Sequence, residues 1–234
     1  MVRAVWTALA TIWPFQLSAC DLALLFAVDV SGSVDQSEFE TQMNGLAAGL
    51  RDGVVSESLV QAKAALSLVQ WTGASRQALI LDWKRINSFP DIVEFADQIS
   101  RAPREWRNFS TAIGEALIFS GDVFDDVADC GRRVIDVSGD GVSNEGIAPT
   151  RVHGSLNKLN ITVNALVIEG EESDLTAYYW ENVITGEGAF VETANGYSEY
   201  PIRMRQKLLR EITKQLASES SADGSATIDK ASYR

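Results

Sequence analysis

The sequence predicts an α/β fold with an open, mostly parallel sheet and helices on both faces. Strand-like and helix-like segments alternate along the chain, and this alternation is typical of parallel sheets. The first predicted strand, 22–28, is an unbroken apolar run, as expected of a strand that helices cover on both sides. The short link containing Thr72-Gly73 joins the second and third strands, so we expect this pair to be antiparallel.

The remaining elements follow from periodicity and flanking residues. The predicted strands are 22–28, 63–71, 78–83, 133–138, 161–168 and a short one at 189–192. The predicted helices are one that opens at Asp35 and others at 91–100, 111–119, 149–159 and 199–216. If the strand order is 3-2-1-4-5-6, strands 1 and 4 are neighbours where the order reverses. The loops that follow these two strands then converge, and this is where ligands bind in such sheets.

The chain has 234 residues, of which 46% are hydrophobic, enough for one large domain with its own core. Residues 1–19 combine Arg3, an apolar stretch and the small residues Ser18 and Ala19, a layout that indicates a cleaved export signal. The alternative is a short buried N-terminal segment. No run is long enough to predict a transmembrane segment. We expect an exported, periplasmic or secreted bacterial protein with a disordered tail at 217–234.

Cys20 and Cys130 are the two cysteines of the chain. An oxidising compartment favours a disulfide between them. A second interpretation is open, because Leu17-Ser18-Ala19-Cys20 resembles a bacterial lipobox, in which the cysteine carries a lipid anchor. A strand that begins directly after Cys20 leaves no tether for such an anchor, so the disulfide is favoured.

The net charge of −12 disfavours some partners. An acidic surface repels nucleic acid and anionic lipid, and the chain has no basic block. We therefore expect no nucleic-acid binding. The same acidic character is compatible with a cation site, which needs carboxylates.

The segment 29–33, Asp-Val-Ser-Gly-Ser, directly follows the first strand. Its glycine permits a tight bend that turns the carboxylate of Asp29 and the hydroxyls of Ser31 and Ser33 toward one point. Hard oxygen donors of this kind suit Mg²⁺, Mn²⁺ or Ca²⁺. Alternatively, Ser33 or Asp35 could simply cap the helix that follows.

Two further residues favour the metal site. Thr111 stands at a predicted helix start, and Asp140 lies in Ser-Gly-Asp-Gly after the fourth strand. Together with the segment at 29–33, they resemble the metal-ion-dependent adhesion site (MIDAS) of von Willebrand factor A domains, over residues 21–216. Many members have a threonine before the Asp-Gly pair, where this chain has Ser138-Gly139. Three other segments, RRVIDVSGDG, AFVETANGY and RMRQKLLREI, look like an exported bacterial subfamily of unknown function.

The resemblance implies a Rossmann-like sheet of order 3-2-1-4-5-6, with strand 3 antiparallel, in a domain covering 20–216. It also implies a ligand set for Mg²⁺ (or Mn²⁺ or Ca²⁺), namely Asp29, Ser31, Ser33, Thr111 and Asp140. The serines would bind the cation directly and the aspartates directly or through water. Thr111 would bind directly in one state and through water in another. The remaining position would be left for water or for a carboxylate of the partner.

The implied function is cation-dependent binding of another protein that offers an acidic residue, in adhesion or assembly and without catalysis. A related possibility is an accessory subunit that holds an enzyme or a polymer. The alternative is a Mg²⁺-dependent phosphatase of the haloacid-dehalogenase type with Asp29 as nucleophile, Thr72 as a phosphate-binding hydroxyl and Asn144 near the metal. Such enzymes usually need a second acid where this chain has Ser31, and Ser33 and Thr111 would have no role.

Asp136 lies inside a predicted buried strand. Its expected roles are pairing with Arg132 or Arg133, or support of the metal loop, and the sequence does not choose between them.

Overall fold

A computed structural model describes residues 20–170 and 174–223, with side chains up to residue 212. The predicted export signal, 1–19, lies outside the described residues. In the ranges that are described, no helix combines the length and the apolar character needed to cross a membrane.

Six strands form one sheet in the order β3-β2-β1-β4-β5-β6, which confirms the predicted topology. Every pair of neighbours is parallel except β2 and β3. The strands are β1 (Cys20–Asp29), β2 (Ala65–Trp71), β3 (Gln77–Arg85), β4 (Cys130–Gly139), β5 (Ile161–Ile168) and β6 (Val191–Ala194).

The helices lie in the crossover connections and at the end of the described chain. They are α1 (Gln36–Leu50), α2 (Gly53–Gln61), α3 (Phe89–Arg101), α4 (Ile113–Asp122), α5 (His153–Lys158), α6 (Leu175–Asn182) and α7 (Tyr200–Asp223). Short 3-10 turns occupy Val123–Val127, Pro149–Arg151 and Tyr197–Glu199.

Several helix boundaries differ from the prediction. The helix expected at 149–159 is a 3-10 turn followed by the six-residue α5. Helices α2 and α6 were not predicted, because at nine and eight residues they are too short for a clear apolar stripe. The last helix continues to Asp223, past the predicted end at 216, and the rest of the predicted tail lies outside the described residues.

The helices cover both faces of the sheet, as predicted. Alternate residues of β1 point to opposite faces, as the two-residue period of a strand requires. Leu24 and Phe26 belong to the core shared with α1, α2, α3 and α7. Leu25 and Ala27 belong to the core shared with α4, α5 and α6.

Cys20 and Cys130 form a disulfide, as the sequence analysis favoured. Each is the first residue of its strand, and the parallel register of β1 and β4 places them opposite each other, with Cα atoms 4.5 Å apart. This separation is within the range that a disulfide can bridge. Because its sulfur is in the disulfide, Cys20 cannot carry a thioether-linked lipid in this form of the protein.

The prediction that Asp136 pairs with Arg132 or Arg133 is wrong. Arg132 pairs with Glu211, with Nη2 and Oε2 2.9 Å apart, and Arg133 donates to backbone carbonyls. Asp136 instead forms an ion pair with Lys207 of α7. A helix some 70 residues further along the chain supplies this partner, and local sequence gives no signal for it.

Candidate metal centre

The central strands β1 and β4 end side by side, and the first predicted ligand, Asp29, closes β1. Its side chain is fully buried. Oδ1 accepts a hydrogen bond of 2.7 Å from the backbone N–H of Ser31, whereas Oδ2 is buried without a hydrogen-bond partner among the described residues. A Cβ at Gly139 would lie 3.1 Å from this Oδ2 and 2.6 Å from the hydroxyl of Tyr179, so the close approach of β4 requires glycine.

The two serines connect Asp29 to the loop after β4. The hydroxyl oxygens of Ser31 and Ser33 are 3.2 Å apart. Ser33 also donates a hydrogen bond of 2.6 Å to Oδ1 of Asp140. Residues more than 100 positions apart in sequence therefore meet at one point, because their strands are neighbours in the sheet.

Thr111 approaches the same point from the segment before α4. Its backbone N–H donates to the side-chain oxygen of Asn144 at 2.9 Å, and its carbonyl accepts from the N–H groups of Asn144 and Glu145. Its hydroxyl oxygen lies 3.8 Å from where a Cβ of Gly141 would be. Helix α4 begins two residues later than predicted, so Thr111 precedes the helix and is held by the loop after β4.

The five predicted ligands thus gather at one edge of the sheet. A cleft of about 800 Å³ opens there, and its lining includes Ser33, Thr111, Asp140, Ile168 and Tyr197. Ser33 does not cap the following helix. The cap of α1 is Asp35, which accepts from the N–H of Glu38 in a reciprocal capping box. Ser33 is therefore free to point to the cleft.

Two further residues hold this arrangement, and no local sequence pattern predicts them. Arg104 reaches behind the loop at 29–33 and donates to the carbonyls of Val30 and Ser31 at 3.0 and 2.8 Å. Tyr197 donates a hydrogen bond of 2.8 Å to Oδ2 of Asp140. Burial raises the pKa of Tyr197 far above its usual value, so its hydroxyl keeps its proton and acts as the donor.

The electrostatics of the site favour a bound cation. Burial raises the pKa of Asp29 to about 8, and the negative charge of Asp140 adds to the rise, whereas hydrogen bonds from Ser31 and the positive charge of Arg104 oppose it. A nearby divalent cation would stabilise the ionised carboxylate.

The donor set fits a hard cation. Carboxylate and hydroxyl oxygens are the ligands that Mg²⁺, Mn²⁺ and Ca²⁺ prefer. In the described part of the chain, no group of three or more His, Cys, Asp or Glu side chains gathers to hold a metal. A cation held here would take hydroxyl as well as carboxylate ligands, and the buried Oδ2 of Asp29 is an atom that it would satisfy.

Two residues that the phosphatase alternative would use, Thr72 and Asn144, are engaged in other contacts. Thr72 is buried, and its hydroxyl donates to the carbonyl of Ser110 at 2.8 Å instead of facing the cleft. The side-chain oxygen of Asn144 accepts from Thr111.

The sheet order and the crossover helices match the von Willebrand factor A fold of solved structures. Proximal thread matrix protein 1 from the mussel byssus aligns with a TM-score of 0.62 and 18% identity, over 81% of this chain and 46% of that one. A structure of the same protein has a zinc-occupied MIDAS motif. A von Willebrand factor type A protein from Catenulispora acidiphila gives a TM-score of 0.56 and 14% identity, over 81% and 42%.

The pilus adhesin SpaC from Lactobacillus rhamnosus GG gives a TM-score of 0.60 and 9% identity, over 83% of this chain and 31% of that one. The chain therefore spans less than half the length of these structures. No curated protein matches it. The chain belongs to the family described as "Protein of unknown function (DUF1194)", whose model matches residues 19–216.

Proposed function

We propose that this protein binds a partner protein through a divalent cation at the edge of the sheet. The ligands are the side chains of Asp29, Ser31, Ser33, Thr111 and Asp140. The observation that carries the proposal is the buried Oδ2 of Asp29, which has no hydrogen-bond partner among the described residues. A buried carboxylate oxygen without a partner costs free energy, and a cation would remove that cost.

The ion is Mg²⁺, or Mn²⁺ or Ca²⁺ in its place, because every proposed ligand atom is an oxygen. Zinc prefers nitrogen and sulfur ligands, yet it occupies the MIDAS motif of the mussel protein. A Zn²⁺ titration therefore belongs beside the Mg²⁺ and Mn²⁺ titrations.

The partner offers an acidic side chain. Two carboxylates and three neutral hydroxyls leave a divalent cation electrophilic toward the open cleft. When bound, the cation would supply a position for an outside carboxylate oxygen. A thread matrix protein and a pilus adhesin share the fold, which supports a role in adhesion or assembly. The signal-like segment at 1–19 and the disulfide support a periplasmic or secreted location.

The cation site is tested by thermal unfolding of the disulfide-intact protein with Mg²⁺, with Mn²⁺ and in EDTA. We expect each cation to raise Tm, and Asp29→Ala to abolish this rise. The matched control is Asp125→Ala at an exposed acid, which should keep the cation response. An unmodified protein that ignores all these cations contradicts the proposal.

The binding role is tested by affinity capture from the exported fraction, with and without EDTA. We expect EDTA to release the partner. Thr111→Ala should weaken partner binding more than Mn²⁺ binding, and Asp140→Ala should weaken both. Capture that survives EDTA and both substitutions would mean that another surface binds the partner. Turnover of phosphomonoesters that disappears in Asp29→Asn would instead support the phosphatase.

A further inference from the structure

A cluster of buried charged side chains lies between the sheet and α7, and the proposed function does not use it. The side chains of Lys207 and Glu211 are fully buried, and that of Asp136 is 1% exposed. Lys207 forms an ion pair with Asp136, and Oε1 of Glu211 is 3.8 Å from Nζ of Lys207. The amide of Asn164 donates to Glu211, and Arg132 pairs with its other oxygen.

Lys207 and Asp136 have fewer hydrogen-bond partners than two permanently charged, buried groups normally have. An ammonium has three protons to donate, and a carboxylate accepts several hydrogen bonds. Apart from their mutual contact, neither Nζ of Lys207 nor either oxygen of Asp136 has a hydrogen-bond partner among the described residues. Buried charges in proteins are normally surrounded by further hydrogen bonds, because their desolvation is costly. By contrast, Glu211 is held by both Arg132 and Asn164.

We propose that Lys207 and Asp136 are covalently joined by an amide bond between Nζ and Cγ, formed in the folded chain with Glu211 as the proton-transfer group. The N–C bond forms and one C–O bond of the Asp136 carboxyl group breaks. Of the three ammonium protons, one stays on the amide nitrogen and two leave with the carboxyl oxygen as water. Glu211 relays these protons and returns to its starting state. No oxidant, reductant or activated donor is needed.

The surroundings favour this condensation. Burial raises the pKa of Asp136 to about 6, in spite of the opposing charge of Lys207, and a protonated carboxyl group is the better electrophile. The fold holds amine and carboxyl in contact, which replaces a bimolecular encounter by an intramolecular one. The ring of Phe190 lies 5.3 Å from Nζ and helps to exclude the water that would hydrolyse the product.

The product also removes an electrostatic cost. A neutral amide replaces two desolvated charges. The charge of Glu211 is still neutralised, because Arg132 remains paired with it. The bond would fix α7 covalently to the central strand β4.

Mass spectrometry of the reduced, unsubstituted protein tests the proposal. We expect a mass one water molecule lower than that calculated from the sequence of the purified chain. Trypsin does not cleave after an acylated lysine, so the digest should contain a branched peptide that joins 134–151 to 206–210. Lys207→Arg and Glu211→Gln should each restore the full mass. The control is Lys84→Arg at a surface lysine paired with Glu94, and it should keep the deficit.

Four results would overturn the proposal in whole or in part. A full sequence mass for the unsubstituted peptides excludes the bond. Loss of ammonia with a link between Lys207 and Asn164, or loss of water with a link between Lys207 and Glu211, excludes Asp136 as the partner. A link that persists in Glu211→Gln excludes the role of Glu211. The deciding measurement uses the unsubstituted chain, so a variant that fails to fold does not affect it.

Discussion

At the scale of single residues, Asp29 determines how the proposed cation competes with protons. Its pKa of about 8 means that the carboxyl group is protonated at neutral pH in the cation-free protein. Cation binding must then release this proton, so affinity should rise with pH, by about tenfold per unit below pH 8, and level off above it. Calorimetric Mg²⁺ titrations at pH 6, 7, 8 and 9 measure this dependence. Equal affinities at pH 6 and pH 8 would contradict the expected competition.

Tyr197 provides the second prediction at this scale. Tyr197→Phe keeps the ring and removes the hydrogen bond to Oδ2 of Asp140. Residues that orient a metal ligand typically contribute 10- to 100-fold to affinity, so we expect Mn²⁺ to bind about 10- to 100-fold more weakly. The control is Tyr178→Phe, because the hydroxyl of Tyr178 accepts from the N–H of Ser143, whereas that of Tyr197 donates to Asp140. Equal Mn²⁺ affinities for both variants and the parent would show that Tyr197 does not position Asp140.

The local sequence could predict some members of the site and not others. Asp29, Ser31 and Ser33 lie within five residues after an apolar strand, so their convergence follows from one tight loop. Arg104 and Tyr197 reach the site from distant connections, and each is an ordinary residue in its own segment. Only the folded chain brings them to the ligands.

At the scale of elements, α1 and α7 pack closely through two glycines spaced four residues apart. A Cβ at Gly45 would lie 2.8 Å from the ring of Tyr200 and 3.2 Å from the backbone of Pro201. A Cβ at Gly49 would lie 2.9 Å from Leu208. These positions lie on one face of α1, so a side chain at either would push α7 away.

Gly45→Ala should therefore destabilise the fold, although alanine is the better helix former. We expect a loss of about 1–3 kcal/mol in the free energy of unfolding, measured with urea. Gly53→Ala is the control, because a Cβ at Gly53 meets nothing within 4 Å. It should be neutral or slightly stabilising. Equal effects of the two substitutions would show that α1 and α7 are not packed so closely.

The sequence predicted strands better than helices. The apolar runs of β1 and β5 and the short link before β3 are local signals, and the sheet order agrees with them. The last strand is shifted to Val191–Ala194, and the N–H of Phe190, which lies in the predicted range, donates to the side chain of Asn164. Tertiary contacts of this kind leave no periodicity in the sequence.

At the scale of the whole molecule, the disulfide closes a loop across 110 positions. Chain-entropy arguments give about 4–5 kcal/mol of stabilisation for a loop of this length. We expect the Cys20→Ser and Cys130→Ser double variant to lose a free energy of unfolding of this order in urea. Peptide mapping without reductant should show Cys20 linked to Cys130. A diacylglyceryl group on Cys20 would instead establish the lipoprotein.

The same disulfide has a mechanical consequence. It lies at the start of β1 and β4, whereas the proposed partner site lies where the two strands end. A pull between Cys20 and a partner at Asp29 would act along the length of β1, and the disulfide would share the load with β4. Both strands would then have to slide together against their neighbours in shear, since β1 could not peel away one hydrogen bond at a time. A domain built in this way would resist tension along the line from the first residue of β1 to a bound partner.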